Sequence, residues 1–142
     1  MCFASTSKGL TAIAIQAFTT AQQLGVLGEL RQELSSSRAP AAGLLAAAER
    51  GLVGMPPKAY RWVREMEEIA RTFAEDGGFA AHPSMFAGAA EVYRAVAEDT
   101  VLGRERVGDR KRGRDPGDVA EAVAEGLREK RRKESEGNES QT

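Results

Sequence analysis

The chain has 142 residues, of which 42% are hydrophobic and 29% charged, and its net charge is −1. That length suits one domain with a real core and is short for a two-domain enzyme. The near-neutral charge excludes a strong global field for nucleic acid or a membrane surface. One cysteine, Cys2, and one histidine, His82, exclude an internal disulfide and leave too few ligands for a His/Cys metal centre within one chain. A Cys-His catalytic pair stays open in principle, although His82 falls in the loop-like stretch Gly77 to Met85, where a solvated imidazole is the simpler reading.

Helical spacing runs through the sequence. Leu10, Ile13, Ala14, Ala17, Ala21 and Leu24 recur at threes and fours and predict the buried face of a first helix, widened by Ile15 and Phe18. The apolar start after Lys8 is faintly leader-like. Gln16, Thr19, Thr20, Gln22 and Gln23 interrupt it too soon for a leader or for the roughly 18 apolar residues of a membrane span, so a structural helix is expected. Gly25 is placed to close it. A short second helix follows over Leu27 to Ser37, and a third is expected from Ala39 to Gly54 with Pro40 in its first turn.

Met55-Pro56-Pro57 separates the third helix from a fourth, with Trp62, Val63, Met66, Ile69, Ala70 and Phe73 on its apolar side. Its charges predict the four-residue pairs Arg61–Glu65, Arg64–Glu68 and Glu67–Arg71, each worth only about 0.2–0.5 kcal/mol. Burial of one large apolar side chain contributes about 1.5–3 kcal/mol, so packing sets the orientation. Ser84 can cap a fifth helix whose core stripe is Phe86, Ala89, Tyr93, Val96 and Ala97, with Gly88 allowing a close neighbour. A last helix begins at Asp115 as cap and Pro116 as first residue.

No run alternates β-branched and aromatic residues with polar ones, so the fold class is all-α, one compact multi-helix domain. Its expected organisation is a helical domain over 1–103, a basic loop or linker over 104–114, a helix over 115–133 and a disordered tail over 134–142. The basic clusters, Arg110, Lys111, Arg112 and Arg114 with Lys130 to Lys133, are candidates for nucleic-acid binding or an import signal. They lack aromatics and are flanked by acids, so a solvated loop and tail is the preferred reading and nucleic acid an unlikely partner.

Few residues offer chemistry. Ser5 and Lys8 have the S-x-x-K spacing of serine acyl enzymes, without that class's companion motifs. There is no glycine-rich dinucleotide turn and no Walker loop. The acidic pairs Glu67-Glu68 and Glu75-Asp76 read as solvated faces. Lys8 in an apolar helix needs water, an anion or a partner. Gly9 beside it costs about 1 kcal/mol of helix propensity, which close approach of a ligand or another backbone can offset. A frayed turn or a helix crossing explains both residues equally simply.

The runs MCFASTSKGLTAIAIQAFTTAQQLGV, YRWVREMEEIARTF and MFAGAAEVYRAVAEDTVLG resemble the C-terminal domain of phosphogluconate dehydrogenase-like proteins, within the β-hydroxyacid dehydrogenase superfamily. The resemblance covers most of 1–103 and implies the 6-phosphogluconate dehydrogenase C-terminal-like fold. It also implies an NAD(P)-binding domain upstream in complete relatives, with a long helix between the two domains that lines the active site. The relatives' K-x-x-x-N pattern would put its lysine just before Met1 and its asparagine on Ala4, so neither catalytic side chain is present. The resemblance therefore implies a back half of such an oxidoreductase, read from an internal methionine and inactive alone. It would bind no cofactor or metal by itself and would have no catalytic residue. Ser5, Ser7, Lys8 and Gly9 are the candidates facing substrate or cofactor. Relatives take a small hydroxy acid, and a cytoplasmic homo-oligomer associating through helical faces is expected. A non-catalytic helical module that binds itself or a partner is the alternative.

Overall fold

In the computed structural model, residues 1–35 and 43–139 are described, and they form six α-helices: α1 (Cys2–Leu24), α2 (Leu27–Ser35), α3 (Leu44–Gly54), α4 (Ala59–Glu75), α5 (Met85–Asp99) and α6 (Pro116–Glu139). Short 3-10 turns at Pro56–Lys58 and Val101–Arg104 sit between them. Among the described residues the only β pairing is an isolated bridge between Arg106 and Asp109, so the fold is all-α. No helix among them is long and apolar enough to cross a membrane. Pro40, expected in the first turn of the third helix, lies outside the described residues, and so do Ser36 and Ser37.

The chain ends its helices as its local chemistry dictates. Gly25 takes φ 74°, and Val26 donates its N–H to the Ala21 carbonyl at 2.9 Å, which closes α1 in the left-handed turn that glycine tolerates. Ser84 Oγ accepts from the Ala87 N–H at 3.4 Å to start α5. Asp115 Oδ1 accepts from the Asp118 N–H at 3.0 Å, with Pro116 as the first residue of α6. α6 then runs on to Glu139, so 134–139 are helical where a disordered tail was expected. Successive polar side chains from Arg128 onward need no core to continue a helix once Val119 and Val123 have anchored it.

α1 is the central strut, packed on α6, α3, α5, α2 and α4, while α4 and α5 form an antiparallel pair beside it. Its buried side only partly matches the one periodicity suggested: Ala14, Ile15, Phe18 and Ala21 are buried as expected, but the face is turned toward Thr11, Ala12 and Thr19. Thr11, Ala12, Ala14, Ile15, Phe18, Thr19 and Ala21 face the core, whereas Ile13 and Leu24 are 60% and 71% exposed and Ala17 also faces out. Both sides of the helix are apolar, and the bundle covers only one. The core continues through Leu52, Met55, Met66, Ile69, Phe86, Tyr93, Val96, Val119 and Val123.

The charges of α4 also regroup. Arg64–Glu68 forms within the helix at 3.1 Å, but Glu65 pairs with Lys8 of α1 and Glu67 with Arg94 of α5 at 2.7 Å. Two of the three expected local pairs thus become bonds between helices.

The segment 104–114 is a loop exposed over much of its length, but Arg110, Arg112 and Gly113 are drawn in against the bundle. Arg110 donates to the carbonyls of Val53, in the last turn of α3, and of Gly113. Arg112 pairs with Asp118 at 2.6 Å and Glu125 at 3.3 Å on α6, and Arg114 Nε donates to the Arg110 carbonyl at 2.6 Å. Gly113 has φ 70°, and a Cβ there would lie 2.9 Å from the buried Leu102 side chain. Burial alone would raise the Asp118 carboxyl, but the Arg112 guanidinium and the Gly113 N–H hold it below the usual carboxylate range. This segment clamps α3 to α6. Replacing Arg110 by Met should lower the unfolding free energy by about 1.5–3 kcal/mol, because hydrogen bonds from a charged donor are lost and two carbonyls are left without it. Urea denaturation followed by circular dichroism reads the shift.

Candidate functional site

The first half of α1, the end of α4 and the start of α5 enclose a cleft of about 680 Å³. α1 contributes Cys2, Ser5, Thr6, Gly9, Ile13 and Gln16 to its wall, opposite Phe73, Met85, Phe86 and Val92. The geometry follows from the pairing of α4 with α5. The Phe73 and Phe86 rings meet edge to face at 4.9 Å, and Phe86 lies against the bare backbone of Gly9. A Cβ added at Gly9 would stand 3.4 Å from Phe86 Cε1, so an aromatic ring makes the close approach that this glycine permits. A shallower depression of about 420 Å³ shares Gln16, Gly88 and Val92 with the cleft and continues along α1 toward Arg131.

The four candidates from the sequence divide. Ser5 is 5% exposed, lines the cleft and donates its hydroxyl to the Cys2 carbonyl at 2.6 Å. Gly9 lines it too. Ser7 is exposed, with its hydroxyl 3.5 Å from the Ala4 carbonyl. Lys8 is not in the wall: its ammonium is paired with Glu65 and lies 5.2 Å from the Trp62 ring centroid. The Ser5 hydroxyl and the Lys8 amine of the S-x-x-K spacing are thus committed to different partners.

Lys8 belongs to a lock between three helices. Tyr93, fully buried on α5, donates its phenol to the Lys8 backbone carbonyl, and its ring meets Trp62 edge to face at 5.2 Å. An ammonium over an indole is held by the ring quadrupole as well as by the carboxylate. Sequence periodicity placed Tyr93 and Trp62 in the core but gave no sign of this lock, since the partners lie 57 and 85 positions apart.

The cleft is uncharged. Its polar groups are Cys2, Ser5, Thr6 and Gln16, and the Ser5 and Thr6 hydroxyls donate back to the Cys2 carbonyl, leaving oxygen lone pairs as acceptors. A pyrophosphate needs cations or a glycine-rich strand-to-helix turn. The wall has no cationic side chain, and the described residues contain no such turn, so the residues present do not fit NAD(P). No group of three or more His, Cys, Asp or Glu side chains among the described residues could hold a metal ion. His82 is exposed, away from the cleft wall. Arg110 and Arg112, which bind α3 and α6, are not available to phosphates, which leaves Arg104, Arg106, Lys111 and Arg114 as the segment's outward cations.

Burial first, and then the Glu65 carboxylate, push the Tyr93 phenol well above its ordinary value, with a contact to the Thr11 hydroxyl opposing them. A folded-state value above the unfolded one contributes stability in full below about pH 10, and that contribution is lost as pH rises further. Tyr93→Phe should cost about 0.5–1.5 kcal/mol at neutral pH. It should also flatten the decline of stability above about pH 10, as measured by urea unfolding across an alkaline pH series.

No curated protein and no solved structure matches the chain significantly. A family model does: it spans residues 21–96, more than half of the chain, from the last turn of α1 through most of α5. The chain therefore belongs to the family described as Domain of unknown function (DUF1932).

Proposed function

We propose that this chain is the helical, substrate-side domain of a phosphogluconate dehydrogenase-like oxidoreductase acting on a small β-hydroxy acid. The observation that carries the reading is the uncharged cleft on α1, the helix that lies between two domains in the proteins the sequence resembles. Its family is known in the C-terminal region of NAD-binding, 6-phosphogluconate dehydrogenase-like proteins, which supports the same assignment.

The cleft assigns this chain a limited part. Its apolar side can orient the carbon skeleton of a small substrate and keep water from it, which is a positioning role. Nothing in the wall would neutralise a carboxylate or a nicotinamide cofactor's phosphates, and no carboxyl, amine or imidazole faces the cleft. Those groups must come from a nucleotide-binding half outside this fold. The chain alone is then not catalytic, and the exposed Cys2 thiol suits a reducing, cytoplasmic setting.

The test joins the chain to the nucleotide-binding half of a phosphogluconate dehydrogenase-like protein. The hybrid should bind a small β-hydroxy acid saturably by calorimetry when nicotinamide cofactor is present. Gly9→Val, which forces bulk between α1 and Phe86, should weaken that binding about tenfold or more while leaving cofactor affinity unchanged. A hybrid that binds cofactor and no hydroxy acid overturns the reading.

A further inference from the structure

Where the two 3-10 turns meet, the fold makes a second concave site at the far end of α4 from the cleft. The Pro56–Lys58 turn packs against the Val101–Arg104 turn. Leu102, fully buried, anchors the second turn, and its N–H donates to Thr100 Oγ1 at 3.1 Å. Pro57, Tyr60, Arg104, Arg106 and Val107 enclose about 460 Å³ there, within the range of small-molecule sites. Tyr60 and Phe73 lie roughly 20 Å apart along α4 at about 1.5 Å per residue, and the two cavities share no residue.

The charge at this site has one sign. Arg104 and Arg106 flank Glu105, whose backbone is extended at φ −71° and ψ 140°. Residues two apart across an extended position share a side, with their Cα atoms roughly 6.5 Å apart. The Glu105 carboxylate between them is already engaged, accepting from the Lys111 and Arg112 N–H groups at 2.7 and 3.2 Å. Arg61 adds a third guanidinium, 6.0 Å from the Tyr60 ring centroid. Among the described residues no carboxylate forms an ion pair with Arg61, Arg104 or Arg106. On a chain of net charge −1 this is a local positive field, and a concave surface concentrates it.

Guanidinium forks match the oxygens of phosphate and carboxylate, and a dianion satisfies two of them better than a monoanion does. Inorganic phosphate alone would leave the Tyr60 ring, Pro57 and Val107 in water, so the cavity is built for an anion that carries an organic group. We propose that it binds a small organic phosphate monoester, with the phosphoryl group held between Arg104 and Arg106 and a flat or aromatic group laid against Tyr60. The site is independent of the functional reading, because the uncharged cleft and this cationic cavity stand at opposite ends of α4. Either can fail without the other.

Phenyl phosphate, titrated calorimetrically into the full chain, is the probe. It should bind about tenfold or more tightly than inorganic phosphate, because only the ester has a ring to set against Tyr60. Replacing both Arg104→Gln and Arg106→Gln should weaken it by about tenfold or more, and added salt should weaken it further in the native chain. Tyr60→Ala should bring phenyl phosphate down to the affinity of inorganic phosphate. All three side chains are exposed, so helical circular dichroism should be unchanged in these variants. Met85→Ala, at the edge of the cleft, should leave the affinity as it was. No saturable binding, benzoate or inorganic phosphate binding as tightly as phenyl phosphate, indifference to the arginine substitutions, or loss of binding in Met85→Ala overturns the proposal. An oligonucleotide that binds where phenyl phosphate does not overturns it as well, and marks the arginines as a surface for phosphodiesters.

Discussion

The structure is organised around one constraint: a 23-residue helix that is apolar on more than one side has to be taken out of water. α6, α3 and α5 cover the side with Ile15 and Phe18, and the rest of the fold is arranged to hold them there. The α4–α5 pair is pinned to α1 by the lock of Lys8, Glu65, Trp62 and Tyr93, and α3 is pinned to α6 by Arg110 and Arg112. Polar contacts here do not drive burial. They fix which helix lies against which, once hydrophobic association has brought the helices together.

Much of this was legible in the sequence, for identifiable reasons. Helix ends were readable because Gly25, Ser84, Asp115 and Pro116 act locally, through their own backbone and nearest neighbours. The core stripe of α5 was readable because its other face carries Glu91, Arg94 and Glu98. The orientation of α1 was not. With almost no charge to mark a wet side, its periodicity contains two apolar faces, and only the choice of neighbours selects between them. The arginines of 104–114 were opaque for a related reason: a guanidinium that binds a carbonyl looks the same in sequence as one facing solvent.

The cleft was legible only in part. Ser5 and Gly9 were found because a glycine and small hydroxyls interrupt an apolar helix, and both do line the cavity. Lys8 drew notice by the same reasoning, yet its ammonium is held by a carboxylate on α4. Helix spacing alone does not make the division, since residues 8 and 9 both lie about one turn from residue 5; Glu65 and Trp62 on α4 hold the Lys8 side chain outside the cleft. The opposite wall, made of Phe73, Met85 and Phe86, depends on the antiparallel seating of α4 on α5, which no local pattern encodes.

The packing of α1 against α6 has a consequence for how the protein is made. Within this domain the central strut leaves the ribosome before the helices that cover it, and one of its main covers, α6, begins only at Pro116. Contacts of such long sequence separation form late. Until α6 is made, the nascent domain must therefore carry part of a greasy helix exposed to water, with α2 and α3 the first helices able to shelter any of it. Chaperone dependence during translation, more than any fragility of the finished bundle, follows from that order.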